Sequence, residues 1–413
     1  MNDRPAACRA AEALGHDYDH YDPAFALDPH ADYAKLRAAC PVAYTGNYGG
    51  FFVVSRFRDL NEVLHDAKAF SSWPADTPPT PGHSRALIPL EVDPPEHRRY
   101  RMIIDPIFRP RAIGGMADEI RSRAAELAAR MAAEREFDFM EKFGRPFPGA
   151  VFLRLVGLDF SVEQRDQLCD WAGTILHTTT EGATHGDVEA QTAARLKAGR
   201  ALNTFLRGLL DERLETPGED ILSRLIDAEL PGQRKMDYHE ILNFAYVLVL
   251  AGLDTVTTAL GFSFLHLARR PDLQDRIAAD PSLIPGAVEE LLRYEPIVHA
   301  SRTVMESRVL GGTQLQPGDR VVLPLASAHR DEEAFPDANE LLIDRKIAST
   351  LVFGGGSHRC VGMHLARMEL TIAFEEIFRR IPRFSLPPDA VLETHGGQTR
   401  SLMNLPFRTW RDD

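Results

Sequence analysis

The chain has 413 residues, 44% hydrophobic and 26% charged, with a formal net charge of -13 at neutral pH. This composition argues against disorder and against a membrane class, and the acidic excess disfavours nucleic acid as a general partner, because phosphate binding needs an extended basic surface. The four cysteines, Cys8, Cys40, Cys169 and Cys360, form no CxxC pair, so neither a zinc site nor a disulfide framework is expected.

The N-terminal stretch MNDRPAACRAAEALGHDYDHYD mixes acids, bases and histidines without an apolar core, which argues against a signal peptide and for a cytoplasmic protein. GGFFVVSRF, near residue 50, reads as a strand. The proline-rich piece from Ser72 to His97 is the long irregular segment, a length often met in functional lids. In DPPEHRRYR, His97 and Arg101 lie four apart at a helix start and share a face. Between about Pro110 and Phe264 the pattern is mainly helical: 117–136 and 190–214 carry apolar residues at three-four spacing.

From Leu242 to Leu267 the chain is apolar almost all round, which predicts a helix through the centre of the protein. Its longest uninterrupted apolar run, Phe244 to Leu253, is shorter than the roughly 20 residues of a spanning helix. Asp254 and Thr255 interrupt it, and a buried carboxylate is costly. One reading is structural: Thr255 bonds back to the carbonyl of Ala251 and Asp254 meets a basic side chain. The other is chemical: a hydroxyl beside an acid carries protons from solvent, and Gly252 leaves the helix thin for a small ligand. Further on, Glu290 and Arg293 share one face of a helix ended by Pro296, and RVVLPLASA, Arg320 to Ala328, follows a Pro317-Gly318 turn as a strand. The expectation is one mainly α domain over 1–413, with small β-sheets at its edge.

In LVFGGGSHRCVGMHLARMEL, Cys360 stands at an apparent helix start, where unsatisfied amides and the dipole favour a thiolate. The preceding glycines let backbone pass close to a flat or bulky object. Three readings are open from the loop alone. A phosphate site lacks the following Gly-Lys-Ser/Thr; a nucleophile needs His358 folded back as its base; a buried structural cysteine needs neither.

The run Phe353-Gly-Gly-Gly-Ser-His-Arg-Cys360-Val-Gly362 resembles the haem-binding loop of the cytochrome P-450 family, Phe-Gly-x-Gly-x-x-x-Cys-x-Gly, at every fixed position. Ala251, Gly252, Asp254, Thr255 and Val256 resemble that family's central-helix pattern, and from about Asp93 onward the order of elements is closest to soluble bacterial members of the camphor-hydroxylase type. The resemblance implies the cytochrome P-450 fold, with haem b between the central helix and the cysteine-loop helix and Cys360 as its axial thiolate. It implies that His97, Arg101, Arg302 and His358 hold the propionates, with Phe353 and Gly362 shaping the loop. Asp254 leads proton delivery and Thr255 stabilises the intermediate of oxygen activation, while Glu290, Arg293 and Arg345 hold the loop scaffold.

The implied reaction is monooxygenation of a small hydrophobic substrate, a terpenoid or small aromatic, with dioxygen and two electrons from a separate ferredoxin and ferredoxin reductase; no membrane is involved. By position, the substrate walls are Ile88, Val247, Leu250, Ala251, Val298, Ala300, Gln398 and Thr399. Arg85 stands where the camphor enzyme has a tyrosine, and Arg85, His83 and Gln398 are candidate polar contacts. Arg98, Arg109, Arg111, Lys346 and Arg359 form a local basic patch suited to an acidic ferredoxin.

Overall fold

The computed structural model describes residues 18–77, 86–157, 161–177, 188–232 and 234–409. It is mainly helical. The two helices expected from periodicity are Ala117–Ala132 and Val188–Glu215. A five-stranded sheet lies apart from the main helical layer, in the order Val42–Thr45, Phe51–Val54, Arg320–Pro324, His299–Val304, Phe70–Ser71. Arg320–Pro324 runs parallel to Phe51–Val54 and the other pairs are antiparallel. The second strand stops at Pro324, and Leu325–Ala328, expected as its continuation, is a short helix instead. A proline that lacks an N–H suits the end of a ladder.

The central helix is two helices, Tyr238–Leu253 and Thr255–Ala268, and not the single rod the apolar pattern predicts. Asp237 caps the first through a reciprocal capping box with Glu240. The break falls at Asp254, with φ -103° and ψ -40°, where the Thr255 hydroxyl donates to the Ala251 carbonyl at 2.9 Å. Such back-bonding bends helices. Taken together, Tyr238–Ala268 is long and apolar enough to cross a membrane, yet 72% of its most apolar window is buried within the protein. Its first half packs on Val162–Leu176, Val188–Glu215 and Pro146–Leu155, its second on Met363–Phe378, which in turn lies on Ala117–Ala132.

Stacked and tilted rings of Phe139, Phe264, Phe374, Phe384 and Phe407 fill the space behind the second half. They leave the first half, with its open face, as the element that can border a cavity.

Candidate active site

Exposure along the central helix traces one stripe. Val247, Leu250, Asp254 and Thr255 are half-buried and Ala251 is exposed, whereas Leu248, Val249, Leu253 and Val256 are buried. Spacings of three and four place the open residues on one face. An exposed alanine in the middle of so apolar a helix means open space beside it. Gly252 does not line that space. A Cβ there would come 2.1 Å from the Phe152 ring, so the glycine admits a neighbouring side chain, not a small ligand.

The cysteine loop closes through the Cys360 N–H, which donates to the Phe353 carbonyl at 2.9 Å. The helix begins at Met363, with Gly362 at its N-cap, and not at Cys360 itself. Gly354 and Gly356 have φ of 71° and 62°, in the region that favours glycine. A Cβ at Gly355 would meet His65 at 2.7 Å, and one at Gly356 would meet the Leu64 carbonyl at 2.2 Å. These two glycines therefore make room for the end of the Phe57–His65 helix, a different reason from the flat object inferred from sequence.

Cys360 is accessible, yet burial raises its thiol pKa above the ordinary value. Accessibility and enclosure together describe a side chain opening into an internal cavity. The helix-start argument predicted a lowered pKa; the Gly362 and Met363 amides and the Arg101 and Arg367 charges do act in that direction, but burial outweighs them. Arg367 is bound to Glu289 and lies over the Phe353 ring, 4.6 Å from its centroid.

Four cationic or imidazole side chains gather at this loop. His97 and His358 rings lie 4.1 Å apart. Burial and the Arg101 charge press His97 down to about 4; burial and the His97 and Arg302 charges press His358 to about 3. The buried His358 Nε2 has no hydrogen-bond partner among the described residues. Arg302 is 8% exposed, donates through Nη1 to the Ser301 carbonyl, and is lowered to about 10 by burial. Arg101 donates from Nη1 to the Arg359 carbonyl at 2.8 Å and from Nε to Asp105 at 2.6 Å, so it already braces the loop. An orphaned buried nitrogen, an under-used buried guanidinium and an enclosed thiol fit a large group that carries carboxylates and accepts a sulfur ligand.

Strand alternation sets Val298, Ala300 and Arg302 on one face, with Val298 and Ala300 half-buried. Ile88 is buried, Gln398 is half-buried, and Thr399, expected as a substrate wall, is buried and turned to Asp254, donating to its Oδ2 at 3.1 Å. His83 and Arg85 lie outside the described residues. Glu290, Arg293 and Arg345 come together: Glu290 receives Arg293 at 2.7 and 2.8 Å and Arg345 at 3.1 Å, while Arg293 also holds the carbonyls of His329, Ala338 and Glu340.

Asp254 meets His177, whose Nε2 lies 3.0 Å from Oδ1. Burial works to raise the Asp254 pKa, but the contact with His177 and the Thr399 hydroxyl outweigh it and hold the pKa below the ordinary value. The Asp254–His177 contact and the Thr255–Ala251 hydrogen bond are those of the structural reading of the interruption. His177 carried no sequence signal: it follows an ordinary helix, Val162–Leu176, and stands far from Asp254 in the chain.

The cytochrome P450 family profile matches residues 46–403. Cytochrome P450 107B1 of Saccharopolyspora erythraea is 32% identical over 406 residues, covering 94% of this chain and 96% of its own. The steroid C26-monooxygenase of Mycolicibacterium smegmatis is 31% identical over 386 residues, covering 89% and 88%. Among solved structures, CYP101J2 superposes with a TM-score of 0.84 at 30% identity, covering 100% of this chain and 99% of its own.

Proposed function

Because this chain belongs to the cytochrome P450 family of haem b monooxygenases, we propose that Cys360 would supply the thiolate ligand of its haem, that Arg101 and Arg302 would neutralise the propionates, and that the imidazoles of His97 and His358 would hydrogen-bond them. The observation that carries this reading is the enclosed Cys360 thiol beside the orphaned His358 Nε2. When bound, the haem binds and activates dioxygen. The residues of the chain do the rest. The amides of Gly362 and Met363 support negative charge on the sulfur. Asp254 and Thr255 hold and move protons at the break in the central helix. Glu290, Arg293 and Arg345 keep the segment before the loop in place.

The substrate is a small hydrophobic molecule, terpenoid or aromatic, bound between Ile88, Val247, Leu250, Ala251, Val298 and Ala300, with Gln398 near its edge. Support comes from the apolar open stripe of the central helix, which binds by burial of hydrocarbon at about 25 cal/mol per Å². One relative is named as a steroid C26-monooxygenase, an oxidation of a hydrophobic molecule. Thr399 acts through Asp254 in this reading. A separate ferredoxin and its reductase supply electrons in the cytoplasm, a reading supported by the exposure of Arg98, Arg109, Arg111, Lys346 and Arg359 on an acidic chain. The whole chain 1–413 works as one domain.

The test is the ferrous carbonyl spectrum. Wild type should give the red-shifted thiolate band and Cys360→Ser should lose it; an unchanged band in the variant would overturn the assignment.

A further inference from the structure

Both carboxylate oxygens of Asp254 are engaged, Oδ1 by His177 Nε2 at 3.0 Å and Oδ2 by the Thr399 hydroxyl at 3.1 Å. These contacts hold the group as an anion. An anion has no proton to give and can pass one on only after receiving it. The surrounding groups are poor sources near neutral pH. The Thr399 hydroxyl is not an acid there, and the Arg145 guanidinium, which acts on Asp254 by charge, does not deprotonate in proteins. Burial pushes the Cys169 thiol up to about 12. His395, its ring 6.4 Å from that of His177, is pressed chiefly by burial to about 4 and is neutral.

His177 differs from all of these. The ring is 3% exposed, with Nε2 on the acid and a buried Nδ1 that has no hydrogen-bond partner. One nitrogen faces the acceptor and the other makes no hydrogen bond among the described residues, which leaves the ring the two ends a shuttle requires.

We propose that His177 is the positioning and proton-supplying residue of the Asp254 relay. A hydronium ion gives its proton to Nδ1, leaving water and forming the imidazolium. The Nε2–H bond then breaks and an O–H bond forms on Asp254 Oδ1, leaving a neutral imidazole and a neutral acid. Once Asp254 has passed its proton on, loss of the Nδ1 proton to water and uptake of one at Nε2 restore the starting tautomer. This inference rests on the monooxygenase reading above and goes beyond it by assigning the source of the proton.

The test begins with wild-type holoenzyme, its thiolate carbonyl band and its product formation with surrogate electron-transfer proteins; absence of the band overturns the underlying reading and this inference with it. With the band present, His177→Gln is compared, since glutamine can donate to Oδ1 but carries no proton. The variant should keep the band and the spectral affinity for a bound hydrocarbon. Its turnover should fall at least about tenfold, with an altered pH profile and a larger solvent deuterium effect. Wild-type rate, profile and isotope effect in H177Q overturn the proposal.

Asp254→Asn and the double variant guard against a folding defect. On a shared path the double variant is no slower than the slower single one, and additive losses contradict the assignment. A readout independent of turnover is ¹⁵N-histidine NMR: Nε2 of His177 should carry a proton and its resonance should move in D254N, whereas an unprotonated Nε2 rules out donation to Asp254.

Discussion

Arg293 grips Glu290 through two hydrogen bonds, 2.7 and 2.8 Å long, with neither side chain exposed at all. Desolvating both charges is offset only because the remaining valences are filled by Arg345, the Leu342 N–H and backbone carbonyls. Glu290→Ala leaves a buried guanidinium uncompensated and should destabilise the protein by about 3–5 kcal/mol. Urea unfolding measures this; a loss below about 1 kcal/mol would show the network to be dispensable.

Thr255→Ala removes the hydroxyl bonded to the Ala251 carbonyl. If that hydroxyl serves only the bend, the variant behaves as wild type. The proposed role in oxygen activation gives a different outcome: substrate binding is kept while electrons are diverted to hydrogen peroxide. Product formed per NAD(P)H consumed decides between them, and unchanged coupling sinks the role.

Acid should weaken the fold through His329. Its Nδ1 lies 2.8 Å from the Leu325 carbonyl, while Nε2 accepts the Leu351 N–H at 3.0 Å, so the buried ring is neutral and helps seat the start of the cysteine loop. Burial presses its pKa from 6.5 to about 4. Between those values the unfolded chain binds more protons than the folded one, so stability is full above about pH 6.5 and falls as pH drops towards 4. The window is worth about 3 kcal/mol. Urea midpoints against pH, in wild type and His329→Gln, check this; identical slopes in both would remove His329 as the cause.

Gly252→Ala places a methyl inside the Phe152 ring. The expected cost is about 1–3 kcal/mol, recovered in part by Phe152→Leu in the same chain. Thermal unfolding of the single and double variants is the measurement, and failure of the second change to restore stability would mean the clash is relieved elsewhere.

Arg98 is exposed beside the proposed propionate residues. If an acidic ferredoxin docks there, Arg98→Glu should slow association most at low salt. Stopped-flow rates that ignore both the substitution and ionic strength contradict the docking site.

What the sequence disclosed was contiguous. The loop from Phe353 to Gly362 and the Asp254–Thr255 interruption are read within a few residues, and both lie where the enclosed thiol and the open helix stripe are found. What stayed hidden depends on distant partners. Gly252 is explained by Phe152 and Gly355 by His65, and nothing near either glycine names that partner. The same holds for His177 and Asp254. The helix start moved from Cys360 to Met363 because the Cys360 amide is taken by the Phe353 carbonyl, a choice between hydrogen-bond acceptors that periodicity does not record.

The contact of Gly355 and Gly356 with Leu64 and His65 also orders events in time. A loop near the C-terminal end of the chain is shaped against a helix near its beginning, and that helix is braced by the sheet that joins residues 42–54 to residues 299–324. Loop closure over such a span is slow. The cysteine loop therefore takes its final form only after these two distant segments have met, so its geometry depends on long-range closure of the chain.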